Sequence, residues 1–260
     1  MSEKQIIKRY LIGTFSLTYF MWGIILIANQ FGYLKFGTII FWPIYAIGGL
    51  ASTIMGALLS KKSGKVENYI QLIKESFTVR QPVKYYIVVF ILFAVSFGIP
   101  AIRNEITSKM KWYMGIMYIF YMIFFGGLEE VGWRYTFQPA LEKYLPYGFA
   151  SCITACFWAA WHLPLFFMEG MNKGASFEIF IIGVFGMSFM LGAIYRVTHS
   201  LWLCVLFHAM INAFSQVWIN SNNITNPLIS TCISSAFKIL AAVIIVLLHK
   251  SYVNRNTPSS

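Results

Sequence analysis

Ionisable side chains are scarce in this 260-residue chain, which holds nine acidic residues, all of them glutamate, and four histidines. Two of the carboxylates fall together in Gly126-Gly127-Leu128-Glu129-Glu130-Val131-Gly132-Trp133-Arg134, at the end of an apolar run. A charge near mid-bilayer costs about 2.5 to 3.5 kcal/mol, and less toward the interface, so such a cluster needs compensation or a use. On a helix Glu130 and Arg134 are i, i+4 neighbours and can pair, whereas Glu129 lies about 140° around from Arg134 and faces elsewhere. The spacing makes Glu129 the candidate general base and Glu130 with Arg134 a structural pair. The plainer alternative is that the three charges sit among headgroups and neutralise one another.

Further polar groups lie downstream. His162 follows Trp158-Ala159-Ala160-Trp161 inside one apolar run, and His208 with Asn212 stands at i, i+4 inside another, on one helix face. A single buried histidine is usually a hydrogen-bonded packing residue. Three apolar runs that each carry a polar group point instead to one shared cavity. Glu129, His162 and His208 also make a zinc set with water in the open position, although no HExxH occurs.

The elements that position these residues are membrane helices. The chain is 58% hydrophobic and 11% charged, more apolar than a soluble domain can bury, and its apolar runs are long enough to cross a hydrocarbon layer about 30 Å thick. Spans are expected at roughly 11–28, 37–59, 83–99, 112–137, 149–167, 177–195, 201–217 and 228–248. That is an all-α, polytopic bundle of about eight helices in one domain, 1–260. Between the second and third spans, Val66, Tyr69, Ile70, Ile73 and Phe77 recur at helical spacing, which predicts a helix lying in the interface. Only the tail after Tyr252 reads as disordered.

The net charge of +11 does not point to nucleic acid, because the cations cluster at the ends of apolar runs. Most of them, from Lys4, Lys8 and Arg9 through Lys61, Lys62 and Lys65 to Lys250 and Arg255, share one side. Lys35, Arg103, Lys109, Lys111 and Lys173 take the other. By the positive-inside bias both termini are cytoplasmic. Cys152, Cys156, Cys204 and Cys232 fall in or beside apolar segments, as small hydrophobes do.

The ordered set Glu129-Glu130-xxx-Arg134, Trp158-xxx-His162 and His208-xxx-Asn212 resembles the signatures EExxxR, FxxxH and HxxxN of the CPBP intramembrane proteases, a group that includes the type II CAAX prenyl endopeptidases. Trp158 stands in place of the phenylalanine and keeps a large aromatic one turn before the histidine. The resemblance covers about residues 112–217 and implies an eight-helix bundle. It further implies an endopeptidase in which Glu129 and His162 activate a water while His208 and Asn212 donate hydrogen bonds to the developing oxyanion. Losing one such donor can cost roughly 10² to 10³ in rate. Arg134 would hold Glu130. The implied partners are membrane lipids and a peptide or protein substrate, prenylated if the likeness extends to CAAX processing. No cofactor is required in this reading; zinc on Glu129, His162 and His208 is the alternative. Relatives in the group also include bacteriocin-immunity proteins, so a non-enzymatic membrane scaffold competes, and intramembrane charge allows a transporter. An aspartyl mechanism has no aspartate to use. A serine mechanism would need Ser188 with His208, and such serines commonly bond between helices.

Overall fold

The computed structural model describes residues 1–170, 176–220, 224 and 226–256; Lys173, placed above among the outer cations, lies outside them. It is a bundle of helices joined at one end by a two-stranded clasp. Helix α1 (Glu3–Gln30) starts on a capping box in which Ser2 Oγ accepts from the Gln5 amide and Gln5 returns the bond, satisfying two amides that a helix start leaves unpaired. The second expected span is a bent pair, α2 (Phe41–Gly49) and α3 (Ala51–Lys62), meeting at 43°. The bend falls at Gly48-Gly49, where Trp22 of α1 presses so closely that a Cβ on Gly48 would lie 2.3 Å from the indole nitrogen.

The interfacial helix is shorter than expected: α4 spans Tyr69–Ser76, capped by the Asn68 side chain accepting from the Gln71 amide. Helix α5 (Val83–Ile102) leads to β1 (Ile106–Ser108) and then α6 (Tyr113–Phe124). The fourth span continues beyond α6 in pieces. A 3-10 turn at Gly127–Glu129, a single turn α7 (Glu130–Gly132), a π-helical stretch at Trp133–Phe137 and α8 (Gln138–Glu142) follow in succession. The regular helix assumed in reading Glu129 to Arg134 is therefore absent, although Glu130 and Arg134 still meet. Helix α9 (Tyr147–His162) ends in a 3-10 turn at Leu163–Phe167. Helix α10 (Phe177–Thr198) is capped by Ser176 and closed by His199 in the left-handed region. Helix α11 (Leu201–Val217), capped by Ser200, runs into β2 (Trp218–Asn220), which pairs antiparallel with β1. Helix α12 covers Pro227–Asn256, so the chain past Tyr252, expected to be disordered, continues as helix to Asn256.

Among the described residues six helices are long and apolar enough to cross a membrane, or seven if the bent pair counts as one span, and α11 is an apolar helix of 17 residues. The expected positions all carry helices, whereas the count of eight rests on including α11. The protein is thus an integral, multi-pass helical bundle. The core gathers around Trp22, Trp133, Trp161, Tyr10 and Phe137, with Trp133 edge-on to Trp161 and Tyr10 stacked on Phe137.

Candidate active site

The backbone between Phe125 and Phe137 is irregular at membrane depth, which is tolerated only where protein satisfies its polar groups. Helix α3 does so. Ser52 Oγ donates to the Glu129 carbonyl at 2.9 Å and Thr53 Oγ1 to the Leu128 carbonyl at 2.8 Å. The two segments touch because both lack side chains at the contact: a Cβ on Gly56 would lie 2.6 Å from the Val131 carbonyl, and one on Gly132 2.2 Å from Ser52 Oγ. Gly126 takes φ +141, which turns the chain into the glutamate pair.

Glu130 and Arg134 are both fully buried, with Nη1 and Oε2 3.4 Å apart. The other oxygen of Glu130 accepts from Nδ1 of His208 on α11 at 2.7 Å. Sequence spacing paired Glu130 with Arg134 but gave no sign of this second bond, since residues 78 apart can be related only through the fold. It points Nε2 of His208 the other way, and a Cβ placed on Gly126 would lie 3.4 Å from that nitrogen and 2.3 Å from Nδ2 of Asn212. The His208 and Asn212 side chains thus come together beside Gly126, where any side chain on that residue would collide with them.

Glu129 accepts from the Trp158 indole N–H at 2.9 Å. Trp158 joins the whole cluster. Its ring stands edge-on to His208 at 5.3 Å, lies 6.0 Å from the His162 ring, and has the Arg134 guanidinium 4.5 Å over its face. Its carbonyl is 2.8 Å from Nδ1 of His162. A carbonyl only accepts, so Nδ1 of His162 carries the proton and Nε2 keeps its lone pair. Sequence reading gave Trp158 a supporting place and missed its hydrogen bond to Glu129; the signal was the indole nitrogen, which phenylalanine lacks.

All of Glu129, His162, His208, Asn212, Glu130, Arg134 and Trp158 therefore belong to one neighbourhood. Among the described residues no group of three His, Cys, Asp or Glu side chains is placed to hold a metal ion. Ser188 is buried and donates to the Ser151 carbonyl at 2.9 Å, an interhelical bond rather than a partnership with His208. One intramembrane cation escaped the sequence reading: Lys238 of α12, whose stem runs along α10, 3.0 Å from where a Gly186 Cβ would sit.

Residues 111–214 match the family model described as type II CAAX prenyl endopeptidase Rce1-like. Over that stretch the chain is similar to an Rce1-like domain. The match takes in the turn bearing Glu129 and Glu130, and both histidine helices. Outside it, the likeness extends to a protein named CAAX prenyl protease 2 from Methanococcus maripaludis, 25% identical over 232 residues, which cover 79% of this chain and 82% of that protein. Similarity to an Rce1-like domain, in a multi-pass helical bundle, supports an intramembrane protease.

Proposed function

We propose that this Rce1-like protein hydrolyses a peptide bond of a membrane-associated peptide or protein by a water that Glu129 and His162 activate. The observation that carries the reading is the division of labour between the two glutamates. Glu130 is spent on Arg134 and His208, while the Glu129 carboxylate takes part in neither bond and accepts from the Trp158 indole.

In the proposed step, water is held between Glu129 and Nε2 of His162, and Glu129 takes its proton as the oxygen attacks the peptide carbonyl. The new oxyanion is met by Nε2–H of His208 and the Asn212 amide. To donate from both ring nitrogens His208 must carry both protons, a state whose charge Glu130 balances. Collapse of the tetrahedral intermediate breaks the C–N bond, and the proton held by Glu129 passes to the leaving amine. No step runs through a metal. The relative's name speaks of prenylated CAAX substrates, and we infer the same class here: a lipid-anchored peptide end presented from the membrane. Both termini are assigned to the cytoplasmic side by the cation bias.

The test is cleavage of a prenylated CAAX peptide by the purified chain. Wild type is expected to release the terminal tripeptide and Glu129→Gln to release almost none. Equal turnover by the two would overturn the assignment.

A further inference from the structure

Near the start of α1, α1 and α3 leave between them a groove of about 760 Å³. Its walls are apolar: Ile12 and Gly13 from α1, Met55, Leu58 and Leu59 from α3. Ile12 is 56% and Leu58 47% exposed, so these side chains present hydrocarbon outward and not to the core. The helices run antiparallel, as the Tyr10–Ser52 and Thr18–Gly48 hydrogen bonds show. Arg9 near the start of α1 and Lys61 and Lys62 at the end of α3 therefore stand together at the same end of the groove.

None of the residues lining the groove is acidic. Among the described residues, no salt bridge takes up Arg9, Lys61 or Lys62. Lys61 rests 4.6 Å over the Tyr69 ring, and Arg9 reaches the sulfur of Met1. An apolar trough closed by three uncompensated cations complements an anion carried on hydrocarbon. We propose that this groove binds an anionic phospholipid, its phosphate at Arg9, Lys61 and Lys62 and its acyl chain along Ile12, Met55 and Leu58. Topology alone explains cations at helix ends; it does not explain a trough running from them along the hydrocarbon. Basic pockets between membrane helices bind acidic headgroups in this way. The site is separate from the catalytic cluster, because α3 turns Ser52, Thr53 and Gly56 toward the Glu129 turn and Met55 and Leu58 toward the groove.

The experiment uses the full chain in detergent, with phosphatidylglycerol, phosphatidylcholine and inorganic phosphate as probes, read by native mass spectrometry and thermal unfolding. Phosphatidylglycerol is expected to stay bound through delipidation and to raise Tm, phosphatidylcholine to do so far less, and phosphate alone to do neither. The triple variant Arg9→Gln, Lys61→Gln, Lys62→Gln should weaken phosphatidylglycerol binding by about tenfold or more. Leu58→Trp, which fills the trough and keeps the three charges, should weaken it as well. Lys109→Gln with Lys111→Gln, at the opposite face, should leave it unchanged. Equal binding of the two lipids, retention by the triple variant or by Leu58→Trp, or an equal loss in the Lys109 and Lys111 variant would overturn the proposal. Stabilisation by inorganic phosphate alone would also overturn it, in favour of a soluble anion.

Discussion

At the scale of single residues, the two adjacent glutamates separate by what they touch. Glu129→Gln keeps the shape and can still accept from the Trp158 indole, but it cannot take a proton from water. Turnover is expected to fall by more than about 10² with detergent Tm near wild type. Arg134→Ala strands Glu130 in a fully buried site, and breaking such a pair typically costs about 3 to 5 kcal/mol; thermal unfolding should show it. Glu130→Gln leaves Arg134 without its counter-charge and His208 without an anionic partner, so both stability and turnover should drop. A stable but inactive Glu130→Gln beside an active Glu129→Gln would exchange the two roles. Trp158→Phe removes one hydrogen bond to a carboxylate while leaving the ring, and a bond to a charged group is worth about 1.5 to 3 kcal/mol. Its turnover should fall well short of wild type and well above that of Glu129→Gln, with little change in Tm. The residue types and spacings singled out Glu129, His162, His208 and Asn212 as candidates, because polar and charged groups are costly in apolar runs. The bonds from Glu130 to His208 and from Trp158 to Glu129 were not legible, since nothing in local spacing relates residues on different spans.

At the scale of elements, the span that carries the glutamates is the least regular one, and α3 is what holds it. The bend between α2 and α3 and the breaks after Phe124 could not be read from hydropathy, which registers apolar length and is blind to helix type. Gly56 and Gly132 did lie in the sequence as small residues in apolar runs, but only the packing shows that they face one another across a backbone contact. Gly132→Ala would drive a methyl group into Ser52 and Tyr10. Overpacking of this kind costs about 1 to 3 kcal/mol, and because the same contact seats the Glu129 carbonyl, turnover should fall along with Tm. Gly126→Ala is expected to separate the two readouts: its methyl group enters the space where Asn212 and His208 converge, so hydrolysis should be lost by more than the drop in stability explains. Unchanged cleavage by Gly126→Ala would show that the substrate oxygen does not sit there.

At the scale of the whole molecule, cleavage is expected to survive exhaustive chelation, and elemental analysis should find no stoichiometric zinc. Loss on chelation with recovery on adding zinc would recast His162 and His208 as ligands. The bundle also contains a small piece of sheet that hydropathy gave no reason to expect. Strand β1 stands just before α6, β2 just after α11, with Ile106 opposite Asn220 and Ser108 opposite Trp218, and the Lys109 amide adds a bond to the Val217 carbonyl at 2.7 Å. Helices packed by apolar faces can slide, and a shift of one residue moves a side chain about 1.5 Å along the axis. That is enough to break the 2.7 Å contact between Glu130 and His208, given the narrow window of hydrogen-bond lengths. The strand pair links the chain entering α6 to the chain leaving α11, so sliding α11 along that span would break these backbone bonds. Three residue pairs at the end of the bundle thus tie the start of one span to the end of α11, which carries His208 and Asn212.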